Sequence, residues 1–192
     1  MNIILLGPPG AGKGTQAEYI SKKFDLNKVS TGDLFRENIK NNSPLGQKAN
    51  EFVNSGKLVP DQIVTDMINN WLISNTDNWL LDGFPRTINQ AKSLNQILKS
   101  CNQILNSVLL ISVPNNMLVD RLLERQKIEK RSDDNMETIQ VRINTYEEET
   151  KPLITYYQQE NILSEIDGSQ SISNVSISIE KELANIKKKI NN

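Results

Sequence analysis

Nine residues, "GPPGAGKGT" (Gly7–Thr15), stand between the apolar run "IILL" and the stretch "QAEYISKKF". No other feature restricts the fold of this chain as strongly. "NIILL" (2–6) reads as a short buried strand, and Lys13 to Phe24 as a helix with Ala17 and Ile20 on its inner face. Glycines at 7, 10, 12 and 14 let successive backbone N–H groups turn inward and form a nest for phosphate oxygens. The helix that starts near Lys13 adds its positive end, and the Lys13 ammonium a mobile charge for the outer phosphates. The spacing fits G-x-x-x-x-G-K, with Gly14 where the usual motif has Ser or Thr, and Thr15 one place later. A flexible loop with a solvated lysine is the plainer alternative. Because the turn follows a strand, opens a helix and carries the lysine, it is read as a nucleoside triphosphate site.

The rest of the chain repeats the alternation. "KVS" (28–30), "NWLLD" (78–82), "SVLLISV" (107–113) and "NILSEID" (161–167) read as further strands. Helical spacing follows each: Thr31 and Asp33 open a helix, Ser43-Pro44 starts another that stops at Ser55-Gly56, and Pro60 opens a long amphipathic stretch. A helix runs from the turn "GFPR" to about Lys99, and "NNMLVDRLLERQ" resumes the helical period after Pro114. Residues 134–159 are helical with a break or kink near Pro152, and Val175 to Ile190 form the last helix. Strands alternating with helices imply a parallel sheet covered on both faces, an α/β fold whose ligands sit beyond the carboxyl ends of the strands. The turns after Leu6, Ser30, Asp82, Val113 and Ile166 are where chemistry is expected.

Composition removes whole classes of mechanism. With 22 Lys+Arg against 23 Asp+Glu the net charge is −1, which offers no basic footprint for nucleic acid or an anionic membrane. No apolar run approaches the roughly 18–20 residues of a membrane span, and Met1 leads straight into a strand, so a cytoplasmic location is expected. The single cysteine, Cys101, excludes an internal disulfide and a thiolate zinc cluster. The absence of histidine excludes imidazole bases, Ser-His-Asp triads and His-ligated metals. Carboxylates, lysine, arginine, backbone amides and a borrowed metal ion remain.

Asp82 ends an apolar run beside the glycine-rich turn and is a candidate to hold Mg²⁺ through water; the alternative is a carboxylate that caps the turn to Gly83. Asp33 is a second candidate for the same water shell, with helix capping as its alternative. Arg36, Arg86, Arg121, Arg125, Arg131 and Arg142 all fall near carboxyl-end turns or on helices leaving them. Singly each is an ordinary surface residue. Gathered at one site they suit a reaction that holds many phosphate oxygens at once, more than a simple ATP hydrolase needs.

The segments "GPPGAGKGTQA", "STGDLFR", "GKLVPD", "LLDGFPRT…Q", "VDRLLER", "RSDDN" and "YEEETKPLITYY" occur in an order that resembles adenylate kinase, and the likeness extends to "IDGS" at 166–169. Only "QKIEK" separates Arg125 from Arg131, which resembles the short-lid form. The resemblance implies a three-layer P-loop NTPase-type fold, with a five-stranded parallel sheet flanked by helices. It implies reversible transfer of the terminal phosphoryl group of Mg-ATP to AMP, giving two ADP, with Mg²⁺ and without zinc. It further implies adenine nucleotide homeostasis, AMP salvage and a monomer. By position, Gly10, Ala11, Gly12, Lys13, Gly14, Thr15, Arg125 and Gln170 would hold ATP. Thr31, Arg36, Lys57, Leu58, Val59, Gly83, Phe84, Pro85, Arg86, Gln90, Arg131 and Arg142 would hold AMP. Lys13, Arg86, Arg121, Arg125, Arg131 and Arg142 would act in transfer. Residues 30–59 would form a helical cover over AMP and 125–135 a short lid, with 1–29, 60–124 and 136–192 as core. Lys130 stands where the family commonly has Gly.

No strong base is required, because a phosphate whose second pKa is about 6 is already largely a dianion at neutral pH. Alignment and charge neutralisation suffice, and the covers exclude water. With no phosphate between them, the cationic covers are expected to repel and stand open. A pyrimidine monophosphate kinase and a nucleotide-binding regulatory module without turnover are the rival readings.

Overall fold

In the computed structural model, which describes residues 1–191, β1 (Ile3–Leu6) lies at the centre of a five-stranded sheet. Around it are β2 (Asn27–Ser30), β3 (Trp79–Asp82), β4 (Ser107–Ser112) and β5 (Leu163–Asp167), in the order β2-β3-β1-β4-β5. Every pairing is parallel, for example Ile4 with Leu81 on one side and with Val108 on the other. From β1 the chain runs out to β2 at one edge, returns to β3 and crosses β1 to reach β4 and β5. The connections leaving the neighbours β1 and β4 therefore diverge and put the glycine-rich turn at a switch point where ligands of open α/β sheets bind.

The pleat sorts the strand residues into two cores. Ile3, Leu5, Leu80, Leu109 and Ile111 face α1 (Lys13–Phe24), α6 (Asn115–Glu129) and α9 (Ile172–Asn191), which contribute Ala17, Ile20, Leu118, Ile179 and Leu183. Ile4, Leu6, Leu81, Val108 and Leu110 face α4 (Asp61–Ser74), α5 (Ile88–Ser100) and α8 (Pro152–Gln159) through Val64, Ile68, Leu94, Leu98 and Tyr157. Because both faces of the sheet are covered, β1 and β3 are buried at all their positions, including the carboxylate of Asp82 at the end of β3.

Between β2 and α4, α2 (Thr31–Lys40) and α3 (Pro44–Asn54) pack together beyond the carboxyl end of the sheet. Ser43 ends one helix and starts the next: its Oγ donates to Asn38 Oδ1 at 2.7 Å and accepts the Gly46 N–H at 3.0 Å, with Pro44 at the first helical position.

Three local differences from the sequence reading have physical causes. First, residues 125–129 continue α6, and the helix closes at Lys130, whose φ of 52° is left-handed. A Cβ is disfavoured there by about 1 kcal/mol, which explains why glycine suits this position. Second, Ser132–Asp134 form a short 3₁₀ turn before α7 (Met136–Thr145). Third, no sharp break occurs at Pro152. The residues ahead of it, Tyr146–Thr150, widen into a π-helical turn, and Lys151 N–H reaches back five residues to Tyr146 C=O at 2.8 Å. Among the described residues, no helix is long and apolar enough to cross a membrane.

Candidate active site

The loop after β1 turns on residues that need left-handed backbone, Gly10 at φ 84° and Gly12 at φ 89°. Gly12 is the N-cap of α1, and it lacks a side chain that would cap the helix. The first helical bond runs from Gln16 N–H to Gly12 C=O, so the amides of Lys13, Gly14 and Thr15 are left for an anion, while Ala11 N–H bonds Pro8 C=O at 3.2 Å. Lys13 folds back over the loop, donating to Gly7 O at 2.7 Å and Pro8 O at 2.9 Å. Enclosure lowers its pKa to about 8, against the opposite pull of Asp82.

Asp82, at the end of β3, is buried at the floor of this cleft. A Cβ added at Gly14 would lie 3.9 Å from its Oδ2. Glycine at position 14 thus leaves space beside the carboxylate where the usual motif places a hydroxyl. Among the described residues, no donor, backbone or side chain, hydrogen-bonds to the Asp82 carboxylate, so it does not cap the turn to Gly83. Burial raises its pKa, opposed by Lys13 and Arg86. An unpartnered carboxylate beside the phosphate nest fits a hydrated divalent cation. Asp33, by contrast, is engaged: Arg36 donates to its Oδ1 at 2.5 Å. Burial would raise its pKa, but Arg36 outweighs this and holds it below the usual carboxylate range.

Three of the six arginines converge on a pair of acids that composition alone does not mark. Arg125 grips Asp134 with two bonds of 2.6 and 2.7 Å. Arg142 donates to Asp134, and also to the Asp133 carboxylate and carbonyl, each at 2.9 Å. Arg36 lies 3.9 Å from Asp133. Burial lowers the pKa of Arg142 to about 10 despite both acids, so it stays charged at neutral pH. Asp133 Oδ1 is buried with no partner among the described residues. The other three arginines bond outside this acidic pair, Arg121 to a carbonyl 47 positions away. Arg86 Nε donates to Gly83 O at 2.8 Å, Arg121 to Gly168 O at 3.0 Å, and Arg131 to Glu129 at 2.5 Å.

These pairs change the expectation of mutual repulsion. The segment after α6 meets α3, with Ser132 Oγ donating to Asn54 Oδ1 at 3.2 Å, and Asp133 sits between Arg36 and Arg142. Acidic partners, not open separation, offset the positive charge.

Two clefts meet on a common wall. The larger, about 820 Å³, is lined by the loop from Pro9 to Gln16 and by Asp33, Asp82, Arg121, Arg125, Arg131 and Gln170. The smaller, about 130 Å³, is lined by Thr31, Lys57, Leu58, Val59, Pro85 and Gln90, with Phe35, Val64, Tyr146 and Thr150. Lys13, Arg36, Gly83, Arg86 and Arg142 line both. Of the residues expected around AMP, Arg131 lines the larger cleft and not the smaller, while Phe84 is fully buried and lines neither. Thr31 Oγ1 donates to Gly83 O at 2.8 Å, fixing α2 to the turn after β3. Tyr146 and Thr150 escaped the sequence reading because the wide turn that carries them has no periodic signature. Its only trace is Pro152, which has no N–H for the preceding turn.

A family model described as adenylate kinase matches residues 5–162 of this chain. The chain belongs to the adenylate kinase family. An adenylate kinase of Prochlorococcus marinus (strain NATL1A) is 46% identical over 181 residues, covering 94% of this chain and 97% of its own. One from Leptospira biflexa serovar Patoc is 44% identical over 183 residues, covering 94% and 98%. The adenylate kinase of Clostridium botulinum (strain Alaska E43 / Type E3) is 40% identical over 204 residues, covering 91% and 95%. That last alignment is longer than this 192-residue chain, so this relative carries residues that the present chain lacks.

Proposed function

We propose that this chain transfers the terminal phosphoryl group of Mg-ATP to AMP, reversibly, with ATP in the larger cleft and AMP in the smaller. The observation that carries this reading is the shared wall: Lys13, Arg36, Arg86 and Arg142 border both clefts. A phosphoryl group passing from one cleft to the other would remain among four cations, which suits a loose transition state with charge on its equatorial oxygens.

On the donor side, the loop amides and Lys13 would hold the phosphates, with Arg121, Arg125, Arg131 and Gln170 around the larger cleft. On the acceptor side, Thr31, Arg36, Lys57 to Val59, Gly83, Pro85, Arg86 and Gln90 would hold AMP. The buried position of Phe84 limits it to packing or a backbone contact. Asp82 would hold Mg²⁺ through water, and the ion would neutralise charge on the donor phosphates. Asp33 is the weaker choice, because Arg36 already takes its Oδ1. Residues 30–59 and 125–135 would close over the substrates, and the water they exclude is the competing acceptor. We further propose a monomer without zinc that works in the cytoplasm on adenine nucleotide balance.

A coupled assay for ADP formed from ATP, with AMP, CMP, UMP or GMP as acceptor, tests this directly. AMP should be strongly preferred. Chelation should abolish activity and Mg²⁺ restore it, while the Tm of the protein without nucleotide stays unchanged. Turnover best with CMP or UMP would favour a pyrimidine monophosphate kinase, and no turnover a regulatory module.

A further inference from the structure

Gln90 is only 2% exposed yet carries an amide, with one oxygen and two N–H bonds to satisfy. Its partners come from the turn at Arg86-Thr87 and from the start of α4. Gln90 Oε1 accepts the Arg86 backbone N–H at 2.7 Å, and Nε2 donates to Asp61 Oδ1 at 2.7 Å. The other Asp61 oxygen accepts from the Thr87 hydroxyl at 2.9 Å, and that hydroxyl oxygen accepts the Gln90 backbone N–H at 3.1 Å. A backbone N–H can only donate and a carboxylate can only accept. One orientation of the amide therefore satisfies both ends. Turned over, it would set N–H against N–H and oxygen against oxygen.

We infer that Asp61 is a positioning residue that fixes the Gln90 amide as an oriented donor–acceptor pair for the base of the acceptor nucleotide. Asp61 begins α4 and lines neither cleft, whereas Gln90 lines the smaller one, so Asp61 acts through Gln90. The capacity left to a ligand is the second Nε2–H and the second lone pair of Oε1. A base edge with a ring nitrogen acceptor beside an amino donor, as in adenine, complements that pair. The ring N–H beside a carbonyl in guanine or uracil sets donor against donor and acceptor against acceptor. Cytosine shares the adenine pattern, so size must separate those two. The inference rests on reading the smaller cleft as the AMP site.

The test measures KM for AMP and for ATP, and the relative kcat/KM for AMP, CMP, GMP and UMP, in single and double variants. Asp61→Ala should raise KM for AMP about tenfold, leave KM for ATP within about twofold, and narrow the preference for AMP over GMP and UMP. Asp61→Asn, which keeps a carbonyl oxygen for Nε2, should return KM for AMP toward the parent value. In a Gln90→Ala background, Asp61→Ala should add nothing to KM for AMP. Equal rises in both KM values, or a full further effect in that background, would overturn the proposal and make Asp61 a residue of helix stability. If Gln90→Ala leaves KM for AMP unchanged, the reading of the smaller cleft falls. If Gln90→Ala raises it and Asp61→Ala does not, only the positioning role falls. Should Asp61→Ala not fold, Asp61→Glu keeps a negative charge at the helix N-terminus but displaces the acceptor. The same KM split is then expected, and its absence counts against the proposal.

Discussion

Lys13 is bonded to the loop it belongs to, and a triphosphate must take over donors now spent on Gly7 and Pro8. Its pKa of about 8 makes that exchange dependent on pH. The bound phosphates favour the charged amine, so the pKa rises on binding. ATP affinity should therefore hold below pH 8 and fall about tenfold per unit above it, until the pKa of the complex is reached. Titrations of ATP at several pH values check this, and a flat profile to pH 10 would refute it. Lys13→Met should lower kcat by about a hundredfold or more, with a smaller loss in nucleotide affinity. The arginines should divide by cleft. Arg36→Ala should raise KM for AMP by about tenfold or more and KM for ATP by less, because Arg36 borders both clefts but is proposed to hold the acceptor phosphate. Arg121, which lines only the larger cleft, should give the reverse. Steady-state kinetics with each substrate varied in turn would show an even effect if the clefts were misassigned.

Among the elements, the α2–α3 pair depends on one close approach. A Cβ at Gly46 would lie 2.1 Å from the backbone oxygen of Asn38, and neither helix backbone can yield cheaply. Gly46→Ala should destabilise the protein by about 1–3 kcal/mol, read from chemical denaturation. It should also raise KM for AMP more than for ATP, because Lys57 to Val59 follow directly from α3. A variant with parent stability would show that the two helices can part without loss. The π-helical turn illustrates the opposite relation between element and sequence. That the helix departs from regular geometry was legible from Pro152, but the expected break is a widened turn, which was not legible because five-residue hydrogen bonding leaves no apolar period of its own. The inner strands β1, β3 and β4 were legible because burial on both faces makes them short apolar runs, whereas the edge strands β2 and β5 are partly exposed and mixed in composition. Several strand ends fell one or two residues from those expected.

Across the whole molecule, Asp133 and Asp134 pair with arginines that phosphates are proposed to engage. Substrate binding would then exchange acidic partners for phosphate oxygens while the covers tighten. A ligand that joins two adenosines through five phosphates should slow hydrogen exchange in residues 31–59 and 125–135, with little change in β1, β3 and β4. ATP alone should protect mainly the second segment and AMP alone the first. Tight binding of the bridging ligand with unchanged exchange in both would rule out closing covers. Asp134→Asn should weaken the hold on Arg125 and Arg142 and raise exchange in 125–135 before any ligand is added.

The sequence by itself determined the sheet, the phosphate loop and the family, because each depends on local signals: apolar runs, glycine spacing, and motifs in a fixed order. It also placed Lys13, Asp82 and the six arginines near the turns around which the two clefts lie. Tertiary structure decided what those residues meet. Asp61 reaches Gln90 across 29 positions, and Ser132 meets Asn54 across 78; no short window holds either pair. Whether the cations repel or are balanced was likewise settled in space. Charge interactions depend on distance and burial, and neither is a property of sequence order.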